Sequence, residues 1–145
     1  MQHDPLAFLD DDLQALNDAG LYRTQRVLET EQAARVVMDD KPLVTLSTNN
    51  YLGLTTHPRL KAAAKAAIDE YGVGAGSVRT IAGTMSLHEQ LEVRLAAFKH
   101  APAALTYQSG YATNLGLLSA LLTDRDVVVS DELNHASIID GLRLS

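Results

Sequence analysis

The stretch that decides the fold is residues 103–129, AALTYQSGYATNLGLLSALLTDRDVVV. It opens with the apolar run Ala103–Tyr107 and closes with Val127–Val129, a run that has no polar side chain. Between the two runs, apolar residues recur at helical spacing after Ser109-Gly110. The order strand, helix, strand predicts a βαβ unit in an α/β protein, with the sheet buried on both faces.

The residues toward the N-terminus predict a helix followed by a hairpin. Asp4-Pro5 is typical of a helix start, and Gly20 can end that helix in a left-handed conformation. Leucines at positions 6, 9, 13 and 16 supply one apolar face. The runs Val36–Met38 and Leu43–Leu46 flank a polar loop and predict two antiparallel strands.

Further helices are predicted on both sides of a glycine-rich loop. One begins near Pro58, another begins with a capping box formed by Ser86 and Glu89, and a last one starts at Asn134. We expect a helix-and-hairpin segment over residues 1–48 and the beginning of a larger domain over residues 49–145. Because a sheet typically has about five or six strands, the chain is expected to be the N-terminal portion of a longer protein.

Composition excludes several classes of protein. Cysteine is absent and the formal net charge is −6, so disulfide scaffolds and thiolate zinc sites are excluded and nucleic acid is a poor partner. The longest nearly apolar stretch, Leu115–Leu122, is too short to span a membrane, and Met1–Leu9 does not resemble a signal peptide. The histidines lack metal-ligand spacing. We expect a cytoplasmic protein without a metal site.

Polar residues follow both predicted strands of the βαβ unit. Gly110 and Tyr111 open a helix whose free N–H groups suit a phosphate, although this signal taken by itself favours a plain helix cap with Tyr111 in the core. His135 follows the second strand at the edge where α/β sheets bind ligands, so a cofactor contact and a structural role are both open. The glycines of Gly72–Gly76 follow a helix, which favours a connector or subunit-contact loop over dinucleotide binding.

Several segments occur in the order and register of a known family; they are Asn49–Leu54, Gly74–Thr84, His88–Glu92, Gln108–Asn114 and Ser130–Gly141. Together they closely resemble the α-oxoamine synthases, which are pyridoxal-phosphate (PLP) enzymes that condense an amino acid with an acyl-CoA. The resemblance implies a fold-type I PLP-dependent transferase. In that fold an N-terminal helix and hairpin precede a large domain with a parallel or mixed sheet, which would be incomplete here.

The resemblance also assigns roles at the cofactor. Gly110 and Tyr111 would contact the phosphate and the ring region, and His135 would stack on the pyridine ring. The lysine that forms the Schiff base, the aspartate that pairs with the pyridine nitrogen and the arginine that fixes the substrate carboxylate are expected beyond Ser145. The chain alone is therefore expected to be inactive.

Substrate and subunit contacts are implied in the same way. Asn49 would hold the amino-acid carboxylate, Ser130 and Arg23 would lie near the acyl-CoA, and Ser77 would reach toward the partner subunit of a homodimer. From the residues alone, an isolated arginine such as Arg23 is more typical of a solvated surface charge than of a carboxylate-binding residue.

Two branches of the family share motifs with this chain. The Asn49-Asn50 pair, Ser77–Arg79 and Ser137–Leu144 favour the glycine C-acetyltransferases, which use glycine and acetyl-CoA. Arg23 instead matches the 8-amino-7-oxononanoate synthases of biotin synthesis, which use alanine and a pimeloyl thioester. A small α/β binding domain without catalysis is an alternative from a different class.

Overall fold

The computed structural model describes residues 5–145, so Asp4 of the predicted helix start lies outside the described residues. The chain divides into two compact units, Met1–Val73 and Gly74–Ser145. Within the part of the chain that the structure describes, no helix is long and apolar enough to cross a membrane. The domain boundary expected after residue 48 stays a prediction.

The first helix, α1, spans Phe8–Asp18 and begins later than Pro5. The preceding residues form tight turns instead, in which the Leu9 N–H donates to the Leu6 carbonyl and the Asp10 N–H to the Ala7 carbonyl. Gly20 ends the helix as predicted, with a φ of 67° that a residue bearing a side chain rarely adopts.

The predicted hairpin is present, with strands β1 (Arg35–Met38) and β2 (Lys41–Val44) paired antiparallel. Its turn is shorter than the polar loop expected from the sequence. Asp39 and Asp40 have φ values of 50° and 59°, which builds a two-residue turn and leaves Lys41 free to pair with Met38. The pKa of Asp39 is lowered, first because its carboxylate accepts a hydrogen bond from Arg26.

Helix α2 spans Pro58–Tyr71 and confirms the predicted start. His57 is the N-cap, and its Nδ1 accepts a hydrogen bond from the Arg59 N–H at 3.2 Å. Pro58 occupies the first helical position, where its missing N–H costs nothing.

The second unit contains helices α3 (Ser86–Lys99), α4 (Gly110–Leu121) and α5 (Ala136–Leu144). The predicted capping box at Ser86 is wrong by one residue. Met85 is the N-cap of α3, and its N–H donates to His88 Nδ1 at 3.0 Å. Ser86 is therefore the first residue inside the helix.

The two strands predicted in the βαβ unit are not strands in the structure. Ala103–Tyr107 and Val127–Val129 are irregular segments without ladder partners, and the sheet of residues 5–145 consists of β1 and β2. Val127 and Val129 are 92% and 97% exposed. An apolar run in the sequence indicates a segment that favours burial. A strand also requires a neighbouring strand that accepts and donates backbone hydrogen bonds.

Candidate functional site

The start of α4 presents free backbone donors. The Oγ of Ser109 accepts the Ala112 N–H at 3.1 Å, and its carbonyl accepts the Thr113 N–H at 3.0 Å. The N–H groups of Gly110 and Tyr111 precede the first helical hydrogen bond and have no acceptor within α4. A Cβ added at Gly110 would meet no atom within 4 Å, so a ligand can approach this backbone.

Tyr111 is not a core residue, because 47% of it is exposed. Its phenol donates a 2.8 Å hydrogen bond to Asp140 Oδ2 on α5. This hydrogen bond to a carboxylate raises the pKa of Tyr111. The phenol is thereby held on α5, while the exposed part of the ring remains available beside the start of α4.

His135 is the N-cap of α5 and is exposed, so the alternative of a buried structural histidine does not describe it. Its Nδ1 accepts a hydrogen bond from the Ser137 N–H at 3.2 Å and lies 2.7 Å from Ser137 Oγ. The opposite edge of the imidazole, with Nε2, is left for other partners.

Side-chain hydrogen bonds connect helix α4 to helix α5. Asn114 Nδ2 donates to Ser137 Oγ at 2.8 Å, in addition to the bond between Tyr111 and Asp140. Gly141 permits the close approach, since an added Cβ would lie 2.8 Å from the Asn114 carbonyl oxygen. The structure thus brings the predicted cofactor residues Gly110, Tyr111 and His135 into one pair of packed helices, which we call the α4–α5 cluster.

Ser130 lies in the loop that leads to His135. Its Oγ accepts a hydrogen bond from Asn134 Nδ2 at 3.0 Å and donates to the Asp131 carbonyl at 3.3 Å. These contacts are within its own loop, so its expected proximity to an acyl-CoA stays a prediction.

Ser77 lines a groove of about 610 Å³ in the second unit, together with Gln108 and Ala112. Arg79 also lines this groove and forms an ion pair that was not predicted from the sequence. Arg79 binds both carboxylate oxygens of Glu92, at 3.0 and 3.1 Å. Both residues lie in motifs that carry the family resemblance, but their pairing across thirteen positions leaves no periodic signal in the sequence.

The other predicted substrate residues belong to the first unit. Asn49 lines a cavity of about 620 Å³, and its Oδ1 accepts a 3.4 Å hydrogen bond from the Tyr51 hydroxyl. The neighbouring Asn50 is structural, because its amide nitrogen donates to Thr55 Oγ1 at 2.7 Å and to the Gln32 carbonyl at 3.3 Å. Arg23 is exposed, and its side chain has no hydrogen bond or ion pair to the residues that the structure describes.

Among residues 5–145, no group of three or more His, Asp or Glu side chains could hold a metal ion. The polar groups that the α4–α5 cluster presents are the backbone donors at the start of α4, the imidazole of His135 and the phenol of Tyr111. This set suits a flat, phosphate-bearing organic ligand.

Among known proteins, this chain is similar in sequence to several 8-amino-7-oxononanoate synthases. The 8-amino-7-oxononanoate synthase of Bacillus pumilus is 56% identical over 138 residues, which is 95% of this chain and 35% of the relative. That of Exiguobacterium sibiricum is 59% identical over 135 residues, which is 92% of this chain and 34% of the relative. The chain spans about a third of the length of the curated relatives it matches.

Solved structures of serine palmitoyltransferase are similar as well. The enzyme of Sphingomonas wittichii has a TM-score of 0.83 at 31% identity, covering 98% of this chain and 37% of that chain. The S. paucimobilis enzyme with a bound PLP–myriocin aldimine has a TM-score of 0.82 at 32% identity. That match covers 98% of this chain and 37% of that chain.

These similarities confirm the resemblance to the α-oxoamine synthases and the fold-type I assignment. They agree with the packed helices and the hairpin, although the structure does not pair the strands that we predicted after residue 102. Residues 41–145 match the family of aminotransferase class I and II. The chain belongs to the aminotransferase class I and II family.

Proposed function

We propose that the protein is a PLP-dependent 8-amino-7-oxononanoate synthase, which joins alanine to a pimeloyl thioester with loss of carbon dioxide. The observation that carries this proposal is the 56–59% identity to two synthases of that name. It favours this branch over glycine C-acetyltransferase, which the sequence motifs alone had favoured. The protein would act as a cytoplasmic homodimer, with Ser77 near the partner subunit.

The α4–α5 cluster fits the cofactor. The N–H groups of Gly110 and Tyr111 lie at the positive end of the α4 dipole and would bind the PLP phosphate. The exposed imidazole of His135 would lie flat against the pyridine ring. When bound, PLP supplies the electron sink that stabilises negative charge at the α-carbon of the amino acid.

The substrate residues would act through charge and hydrogen bonding. The Asn49 amide would bind the carboxylate of alanine, and Ser130 would lie beside the thioester. Arg23 distinguishes the two branches chemically, because a pimeloyl chain ends in a second carboxylate and an acetyl group does not. An exposed guanidinium without another partner among the described residues is suited to that carboxylate.

Activity assays of the full-length protein with both pairs of substrates test which branch of the family it belongs to. Purified protein with PLP should form product from alanine and a pimeloyl thioester, and it should form much less from glycine and acetyl-CoA. Arg23→Ala should raise KM for the pimeloyl thioester and leave the slow reaction with acetyl-CoA unchanged. Preference for glycine and acetyl-CoA in the unmodified protein would overturn the assignment to this branch.

Two variants of His135 test the cofactor role separately from the capping role. His135→Asn keeps an N-cap acceptor for the Ser137 N–H but lacks the stacking ring. We expect it to bind PLP about 2- to 13-fold more weakly, as loss of one aromatic contact predicts. His135→Ala removes the cap as well and should also lower stability by about 1 kcal/mol. Unchanged PLP affinity in His135→Asn would contradict stacking.

A further inference from the structure

A series of hydrogen bonds runs from the interior of the α4–α5 cluster to the imidazole of His135. Asn114 Nδ2 lies 2.8 Å from Ser137 Oγ, and that hydroxyl lies 2.7 Å from His135 Nδ1. Ser137 is 1% exposed, so water does not replace either partner. The Ser137 N–H also reaches His135 Nδ1, at 3.2 Å.

The direction of each bond follows from the donors available. A backbone N–H can only donate, so the contact with the Ser137 N–H makes His135 Nδ1 an acceptor. Asn114 Nδ2 donates to Ser137 Oγ, which leaves the single hydroxyl hydrogen for His135 Nδ1. A neutral imidazole with an unprotonated Nδ1 carries its proton on Nε2.

We propose that Asn114 and Ser137 are positioning residues that hold the ring of His135 in its Nε2–H tautomer and in one plane. An N-cap needs only the bond between the Ser137 N–H and Nδ1, so the buried hydroxyl and the Asn114 amide add nothing to the cap itself. Their effect falls on the ring, whose single N–H donor then faces away from α5. A role of this ring orientation in catalysis rests on the proposed function. The assignment of the tautomer rests only on the hydrogen bonds described above.

The test uses the full-length protein without cofactor, labelled with 15N-histidine. Two-bond proton–nitrogen NMR spectra report which ring nitrogen carries the proton, and His135→Asn identifies the signals by their loss. Asn114→Asp is the informative variant. An aspartate accepts the Ser137 hydroxyl hydrogen and so turns it away from His135, whereas the size of the side chain is unchanged. Ser137→Ala removes the hydroxyl altogether and is the second variant.

Ser119→Ala is the matched control, because Ser119 lies on α4 and its Oγ donates to the Leu115 carbonyl at 2.6 Å, not to α5. We expect the unmodified protein and this control to show an unprotonated Nδ1 and a protonated Nε2. Asn114→Asp and Ser137→Ala keep the 3.2 Å bond from the Ser137 N–H but lose the shorter contact with the hydroxyl, so their ring-nitrogen shifts should move toward those of a mixture of the two tautomers while the proteins remain folded. Each should also bind PLP about 2- to 13-fold more weakly, as expected for one lost hydrogen bond.

The outcomes separate the two proposals. Ring-nitrogen shifts that are the same in folded Asn114→Asp, folded Ser137→Ala and the unmodified protein would overturn the positioning role and leave these residues as a link between helices. A changed tautomer in these variants, together with normal PLP binding by His135→Asn, would support the positioning role and overturn the proposed contact of His135 with the cofactor.

Discussion

Arg79 and Glu92 form a bidentate ion pair, with both guanidinium Nη atoms bound to the carboxylate at 3.0 and 3.1 Å. Glu92 also accepts the Thr106 N–H at 2.8 Å and the Thr106 hydroxyl at 2.9 Å. One side chain on α3 thus links the helical turn Arg79–Gly83 to the irregular segment that contains Thr106. These elements form the walls of the groove that Ser77 lines.

Replacing Glu92 with glutamine should lower the melting temperature of the full-length protein. An amide offers one acceptor oxygen and turns donors toward Arg79, so the bidentate pair cannot form. Glu89→Gln, on the first turn of the same helix, is the matched control and should lower the melting temperature less. Equal melting temperatures for both variants would show that the ion pair does not hold the groove.

The same ion pair predicts how stability depends on pH. The pKa of Glu92 is lowered from 4.5 to about 2, first by its hydrogen bond from Arg79 and then by the Thr106 N–H. A depressed pKa stabilises the folded state above the unfolded value, and the effect is lost as pH falls from about 4.5 to about 2. The difference in melting temperature between the unmodified protein and Glu92→Gln should therefore shrink across that range. A constant difference would contradict the lowered pKa.

Gly83→Ala should destabilise the protein by about 1–3 kcal/mol, as overpacking does. Gly83 is buried, and an added Cβ would overlap the Ser77 carbonyl oxygen and lie 2.8 Å from the carbonyl carbon of Val78. Both are backbone atoms, so the chain at Ser77 must move. Denaturant unfolding measures the cost.

Gly116→Ala is the control for that overpacking. Its Cβ would meet Tyr107 Cε1 at 2.9 Å, which is a side-chain atom that can rotate away. The free energy of unfolding should fall less than in Gly83→Ala. A larger loss in Gly116→Ala would mean that the turn at Arg79–Gly83 is not the rigid element we describe.

The sequence predicted those features that depend on neighbouring residues. Helix α2 was found from Pro58, and the hairpin from its two apolar runs, because caps and turns act within a few residues. The strands expected at Ala103–Tyr107 and Val127–Val129 require hydrogen-bonding partners distant in sequence, which a pattern does not contain. The same reason explains why Gly110 was found at the start of a helix and the start of α5 was placed only two residues early, at Asn134, whereas the pairing of Arg79 with Glu92 was missed.

Tyr111 should ionise at higher pH than an ordinary tyrosine, because its phenol donates to Asp140 and its pKa is raised. Asp140→Asn should move this titration back toward 10, as followed by ultraviolet absorbance at alkaline pH. Glu132→Gln removes one negative charge from the exposed loop before α5 and should leave the titration unchanged. An equal shift in both variants would mean that net charge, and not the hydrogen bond, sets the pKa.

Stability should follow that titration in a defined direction. A raised pKa favours the neutral phenol in the folded state, so its contribution is present below pH 10 and is lost as pH rises through the higher folded value. Tyr111→Phe should therefore melt at a lower temperature than the unmodified protein at neutral pH, and the difference should disappear in strong alkali. A difference that persists there would contradict a contribution from the bond to Asp140.

Gly110→Ala should separate stability from cofactor binding. The position has no φ in the left-handed region, and an added Cβ would meet no atom within 4 Å, so alanine should keep or raise stability by up to about 1 kcal/mol. A methyl group beside the free N–H groups of α4 should nevertheless crowd the PLP phosphate. Fluorescence titration of the full-length protein with PLP should show weaker binding.

Gly141→Ala should lower stability, unlike Gly110→Ala, and serves as its comparison. Its Cβ would lie 2.8 Å from the Asn114 carbonyl oxygen and 2.9 Å from Leu118 Cδ1, so α5 must move away from α4 and the melting temperature should fall. Because α5 carries His135, PLP binding should weaken together with stability, whereas Gly110→Ala should weaken binding without a loss of stability. If Gly110→Ala binds PLP normally, the phosphate does not lie at the start of α4, and the proposed role of Gly110 is wrong.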